Sequence, residues 1–315
     1  MMGAHSQIHA PAEAHILTPL AHLGYYERVE TAPYDPIISQ RGIREVVQEL
    51  PSQESDYLEA LRAYSDRLYS GLLEGRSEGW LLDKTPAYAL VLDFAARLYP
   101  DAHYVVLTRH PMAIWSSVVD SFFDGDHEMA HRHNALLERY VPAIADFLRE
   151  RPVPILHLHY ETLVADPERA MADVCNFVGI EYENSMVNYG QASPQHSASR
   201  GLGDPMTVAA QTRPTTASLE KWATQWTGRP ERVDQARWIL ASLDESDLEV
   251  WGYPKQSIED QLAAIDPAAK RTSGPALSRH VLERRILMAL RRRVGNNLLG
   301  RGIRKIRELC DLLLR

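Results

Sequence analysis

The sequence predicts an α/β fold, a parallel sheet flanked by helices, and residues 79–121 carry that prediction. Two short apolar runs, residues 80–82 and 103–108, are each followed by a stretch in which apolar residues recur at helical spacing. Each run ends on a cation, Lys84 after the first and Arg109 after the second. In sheets built from strand–helix units, ligands bind beyond the carboxyl ends of the strands, where both cations fall.

The first unit stops its strand at Asp83-Lys84-Thr85-Pro86, and Leu90, Val91, Phe94 and Leu98 then mark one helix face. Pro100-Asp101 breaks that helix. Residues 103–108 are rich in strand formers and read as a strand buried on both faces. Arg109-His110-Pro111 follows, and a proline suits the first turn of the next helix. Helix N-termini attract anions, so the two cations on this rim imply a ligand carrying phosphate or sulfate. Ser117 lies eight residues past Arg109, about two helical turns along, where its hydroxyl can face the same ligand.

These residues resemble the PAPS-dependent sulfotransferases, in particular their bacterial branch. PAPS, 3′-phosphoadenosine 5′-phosphosulfate, is the activated sulfate donor. The strings that carry the resemblance are Asp83-Lys84-Thr85-Pro86-Ala87-Tyr88, Tyr99-Pro100-Asp101-Ala102 and Leu107-Thr108-Arg109-His110-Pro111. The resemblance implies that Arg109 and Ser117 hold the 3′-phosphate and that Lys84 approaches the transferring sulfuryl group. It covers roughly residues 1–255, with the P-loop-like sheet of that family as the expected fold.

The resemblance also implies what the start of the chain should contain. Residues 1–19 resemble the segment just after the family's first helix, so the first strand and its 5′-phosphosulfate loop are expected to be missing. A start codon placed too far downstream accounts for this better than a fragment, because the other motifs are intact. Neighbouring strands without that strand are expected to leave unpaired backbone and uncovered apolar surface, and the chain to be poorly stable or inactive.

Glu13 is the expected base. Transfer to an alcohol needs a group to take the hydroxyl proton, and a glutamate in a similar position has that role in the tyrosyl and related branches. Other members use a histidine two residues after the lysine, but here that position is Pro86. His15 is the rival to Glu13. Later in the chain, Arg200-Gly201-Leu202-Gly203-Asp204 loosely matches the family's Arg-Lys-Gly loop, with the lysine absent. Arg200 and the backbone at Gly201 are therefore expected as further phosphate ligands.

The remaining elements follow in order. Residues 57–73 read as a helix in a cap over the acceptor pocket, and residues 136–147 as an amphipathic helix. Residues 154–160 read as a strand and 167–178 as a helix; Trp222 and Trp226 share a helix face as core residues, and another helix covers 231–243. His127 and His131 share a helix face, but no third ligand accompanies them and no metal is expected.

The 315 residues suffice for one large domain plus an appendage, with residues 1–255 as the sulfotransferase body, 256–275 as a linker and 276–315 as a basic helical tail. From 270 to 315 there are 13 Lys and Arg against 3 acids, leaving 21 basic and 39 acidic residues before it. Two basic helices are read in the tail, around residues 277–294 and 298–314, and in the second Leu299, Ile303, Ile306, Cys310 and Leu313 form an apolar stripe between arginines, a pattern that suits an anionic membrane, a partner or the acidic body. No aromatics are interleaved, which argues against nucleic acid. No apolar run approaches the ~20 residues of a membrane span, and the start lacks a signal pattern, so a cytoplasmic enzyme is expected. Two cysteines without ligand spacing agree with a reducing compartment.

The function expected is thus sulfuryl transfer from PAPS to a hydroxyl or amine of an unidentified acceptor. The alternative is a catalytically impaired, sulfotransferase-like binding or membrane-associated protein. A P-loop kinase is disfavoured, because neither a Walker loop nor a magnesium-binding acid is present in the sequence.

Overall fold

A computed structural model describes residues 1–10, 17–23, 36–123, 125–189 and 212–266. Among the described residues, four strands form two parallel pairs. β1 (Ile8–His9) pairs with β2 (Trp80–Leu81), and β3 (Tyr104–Thr108) pairs with β4 (Ile155–His159) along its whole length, Tyr104 opposite Ile155 and Thr108 opposite His159. At the start of β2 the Trp80 ring meets His103, the residue before β3, edge to face with centroids 5.5 Å apart. Parallel pairing was the expectation, and it follows from the helices that return the chain between strands.

The first half supplies α1 (Leu17–Ala21), α2 (Pro36–Glu49), α3 (Glu54–Leu73) and, after a 3-10 turn at Pro86–Leu90, α4 (Leu92–Leu98). The expected helix face after Lys84 is confirmed by burial of Val91, Phe94 and Leu98, which pack with Leu17, Leu20 and Leu61 of α1 and α3. Pro86 at the start of that turn lacks an amide hydrogen, and the first turn does not need one.

After β3 come α5 (Pro111–Phe122), α6 (His127–His133) and α7 (Leu136–Glu150); after β4 come α8 (Tyr160–Ala165) and α9 (Pro167–Val178). Asp126 and Asp166 cap α6 and α9 by accepting from the amides of Met129 and Arg169. Such a cap is worth about 1 kcal/mol, because it satisfies an amide that the helix leaves without a partner. The last layer is α10 (Lys221–Trp226), α11 (Pro230–Ser242), α12 (Glu245–Trp251) and α13 (Lys255–Ala263). Trp222 and Trp226 are buried with Trp115, Val119, Leu137, Ile239 and Leu248 in the largest apolar cluster, as their spacing predicts.

Two expectations are corrected. β3 is not buried on both faces: Val106 and Thr108 point inward, whereas Leu107 is 50% exposed. Alternation puts Leu107 on the opposite face from its neighbours, and that face is open at this position. Residues 256–266 are not linker. They contain α13, and Ile258, Leu262 and Ile265 are buried in the same cluster as Trp226. A spacing of four and then three residues is that of a helix face, and it overrides the charged residues between them.

Candidate functional site

Arg109 leaves the tip of β3 and meets groups from the tip of β4 and from the 3-10 turn at Thr216–Ser218. Its Nη2 donates to the Ser218 carbonyl at 3.0 Å, and its Cζ sits 4.4 Å from the centre of the Tyr160 ring. The Tyr160 hydroxyl and Ser218 Oγ are 2.9 Å apart, which closes a small circuit around the guanidinium. Arg109 Nε is buried and has no hydrogen-bond partner among the described residues. A buried donor left unpaired costs about 1–3 kcal/mol, so an acceptor that arrives there is favoured.

His110, the residue before α5, stacks on Trp222 with centroids 4.8 Å apart and planes 16° from parallel. The imidazole is only 6% exposed, and neither ring nitrogen has a partner among the described residues. Burial pushes its pKa down to about 4, with Arg109 pushing the same way and Glu161 opposing. His127 is likewise lowered to about 4, by burial first and then by Arg232 and Arg229, with Asp126 opposing. For both histidines the folded value lies below the unfolded one. The unfolded chain therefore binds the extra protons, and the stabilisation present above the ordinary histidine range is lost as pH falls toward 4. The melting temperature is expected to drop between pH 7 and pH 5, each histidine contributing at most about 3 kcal/mol by pH 4. A calorimetric melt that is unchanged or rises at pH 5 would contradict this.

α5 turns Ser116 inward, where its hydroxyl donates to Gln225 at 3.4 Å, and leaves Ser117 exposed. Gln225 lines a cavity of about 540 Å³ together with Thr216, Leu219, Glu220, Lys221 and Thr224. Ser218, which takes the hydrogen bond from Arg109, lies between two lining residues. Lys221 and Tyr160 are candidates that the sequence did not single out. Nothing in the spacing of residues 216–226 separates a lysine on a cavity wall from a solvated one, and Tyr160 reads simply as the end of a strand.

Lys84 is exposed in the loop after β2, between the buried Thr85 and the anchored Asp83. Asp83 Oδ2 accepts from the hydroxyls of Tyr69 at 2.6 Å and Tyr88 at 2.8 Å, and the Leu17 amide donates to the Tyr88 oxygen. Burial, opposed in part by the Leu17 amide and reinforced by Asp83, pushes the Tyr88 phenol up to about 12. The carboxylate thus ties α1 and α3 to the loop that carries Lys84. The structure brings Arg109 and Ser117 onto one strand–helix unit, and Lys84 lies on the loop after β2, which belongs to the other strand pair. Glu13, His15, Arg200 and Gly201 lie outside the described residues.

His127 and His131 of α6 each have a partner within the fold. His127 Nδ1 accepts from the Trp115 indole at 3.1 Å, and His131 Nε2 lies 2.6 Å from Glu138 Oε1. Among the described residues no group of three or more His, Cys, Asp or Glu is placed to hold a metal ion.

A family model described as "Sulfotransferase family" matches residues 1–184, more than half of the chain. The chain belongs to the sulfotransferase family. Among curated proteins, this chain is 40% identical over 63 residues to nodulation protein NoeE of Sinorhizobium fredii. That match takes in 20% of this chain and spans only 15% of the relative's length. Among solved structures, the sulfotransferase domain from the curacin biosynthetic pathway is similar over 70% of this chain and 83% of its own, at 21% identity and a TM-score of 0.47. The sulfotransferase domain of the Synechococcus PCC 7002 olefin synthase is similar over 70% of this chain and 79% of its own, at 23% identity and a TM-score of 0.47.

Proposed function

We propose that this sulfotransferase moves a sulfuryl group from PAPS to a hydroxyl or amine of an acceptor. The observation that carries the reading is Arg109: a guanidinium at a strand tip, braced by Ser218 and Tyr160, with a buried Nε that lacks a partner among the described residues. A phosphate oxygen is the acceptor such a donor suits, because charge-assisted hydrogen bonds are the strong ones. Ser117 on the following helix, Arg200 with the Gly201 backbone, and Lys221 on the wall of the adjoining cavity complete the proposed set for the donor's phosphates.

Lys84 is assigned to the other end of the donor. As the acceptor oxygen bonds to sulfur, the bond from sulfur to the phosphate oxygen breaks and negative charge collects on that oxygen. A cation there lowers the barrier, and positioning with electrostatics does most of the work. Glu13 takes the acceptor's proton, with His15 as the competing base. PAP, the 3′,5′-bisphosphate, leaves.

The location proposed is cytoplasmic, and no helix among the described residues is long and apolar enough to cross a membrane. For residues 276–315 we propose contact with an anionic surface or with a partner, on the strength of their basic composition. The partners otherwise proposed are PAPS and the acceptor, with no nucleic acid and no metal.

Calorimetry with PAP tests the donor site, and turnover of labelled PAPS against a metabolite extract tests the reaction. Arg109→Lys keeps the charge but loses the planar fork, so PAP is expected to bind about tenfold more weakly. The absence of any binding heat with PAP in the wild-type protein would overturn the assignment.

A further inference from the structure

The peptide bond between Arg109 and His110 is gripped at both of its polar ends by side chains far away in the chain. Its carbonyl accepts from the Trp251 indole at 2.9 Å, and its N–H donates to Glu161 Oε1 at 3.1 Å. The other oxygen of Glu161 accepts from the Tyr253 hydroxyl, two residues beyond Trp251. Burial, reinforced by that carboxylate, pushes the Tyr253 phenol well above its ordinary range, so it stays a donor. One turn after α12 therefore reaches the carbonyl directly and the N–H through Glu161.

The turn comes this close because of Gly252. Its φ of +99° is one that other residues rarely adopt, and a Cβ there would lie 2.0 Å from Cε1 of His159 at the end of β4. On the far side, the Tyr253 ring meets His110 edge to face at 5.5 Å while Trp222 stacks on the same imidazole. The tip of β3 is thus held between the β4 tip and the C-terminal helices.

A peptide plane has two polar groups, and fixing both fixes its rotation. That rotation sets ψ at Arg109 and φ at His110, hence the angle between the arginine side chain and the start of α5. The grip also occupies the first amide before α5 with a carboxylate, so anion binding on this rim falls to the arginine rather than to that amide. We propose that Glu161, Tyr253 and Trp251 are positioning residues that aim the Arg109 guanidinium at the donor's 3′-phosphate; the inference rests on the PAPS reading above.

Trp251→Phe would open a cavity in the core, so Tyr253→Phe and Glu161→Gln carry the test. Both are expected to weaken PAP about tenfold, while adenosine 5′-phosphate, which lacks the 3′-phosphate, changes by less than about twofold. Added to Arg109→Ala, neither should weaken PAP further. Equal weakening of both nucleotides would mean a merely structural role and would overturn the proposal. If the wild-type protein takes up no PAP, the donor reading fails, and hydrogen exchange at the His110 amide decides the positioning claim by itself. Faster exchange in Glu161→Gln and Tyr253→Phe supports the grip, whereas unchanged exchange in both removes it.

Discussion

Lys84→Met is expected to lower kcat about a hundred- to a thousandfold, with the Kd for PAP moving by less than about threefold. The asymmetry follows from when the ammonium works. In the bound donor the bridging oxygen carries little charge; as the bond to sulfur breaks, that charge grows, and only then does a neighbouring cation gain. An interaction made in the transition state and not in the ground state appears in kcat and leaves binding nearly alone. The fold suits this division, because Asp83 is locked by Tyr69 and Tyr88 and Thr85 is buried, so the loop is fixed on either side of an exposed lysine. Methionine keeps the length and removes the charge. Lys84→Arg keeps the charge with a different shape and should recover part of the rate. Steady-state turnover of labelled PAPS with calorimetric PAP binding on the same preparations makes the comparison. A kcat within twofold of wild type in Lys84→Met would end the assignment of that residue.

The parts of the site that could be read from the chain are those that local chemistry fixes. The strand before Arg109, the proline that opens α5 and the run from Asp83 to Pro86 each declare themselves within a few residues. The supports of Arg109 do not. Ser218 lies 109 residues away and Trp251 lies 142 residues away, and no periodicity marks either as the partner of a strand tip. Tyr160 ends a predicted strand and Lys221 immediately precedes the tryptophan pair; only folding turns the first onto the guanidinium and the second onto a cavity wall. Leu107 failed for a related reason. A run of strand formers indicates a strand but not which of its faces the helices cover, and here the face is open at Leu107. The helix pattern of the last layer is legible at Trp222 and Trp226 and over residues 231–243, but at 256–266 the breakers Asp266-Pro267 and Gly274-Pro275 point to a linker and hide the spacing of Ile258, Leu262 and Ile265.

That misread segment supplies the largest expected loss of stability. Leu262 on α13 is 0% exposed and packs in the cluster that holds Trp226, Ile239 and Leu248. Leu262→Asp removes a leucine side chain from a close-packed site, worth about 2–5 kcal/mol, and sets a carboxyl group where water cannot reach it. The group must then either stay charged in apolar surroundings or take up a proton at neutral pH, and each route adds to the loss. Against a total stability of about 5–15 kcal/mol, the sum is enough to leave the body partly unfolded at ordinary temperature. Leu262→Ala isolates the cavity contribution, and the difference between the two variants measures the carboxyl. Glu259→Ala on the same helix, at an exposed position, should change stability by less than about 0.5 kcal/mol. Urea unfolding followed by circular dichroism separates the three. If Leu262→Asp unfolded at the wild-type midpoint, residues 255–263 would be a tether rather than a wall of the core. The Trp251–Tyr253 turn would then lose its support from that side, since α13 begins two residues after Tyr253 and packs through Ile258 onto the same apolar cluster as Trp251.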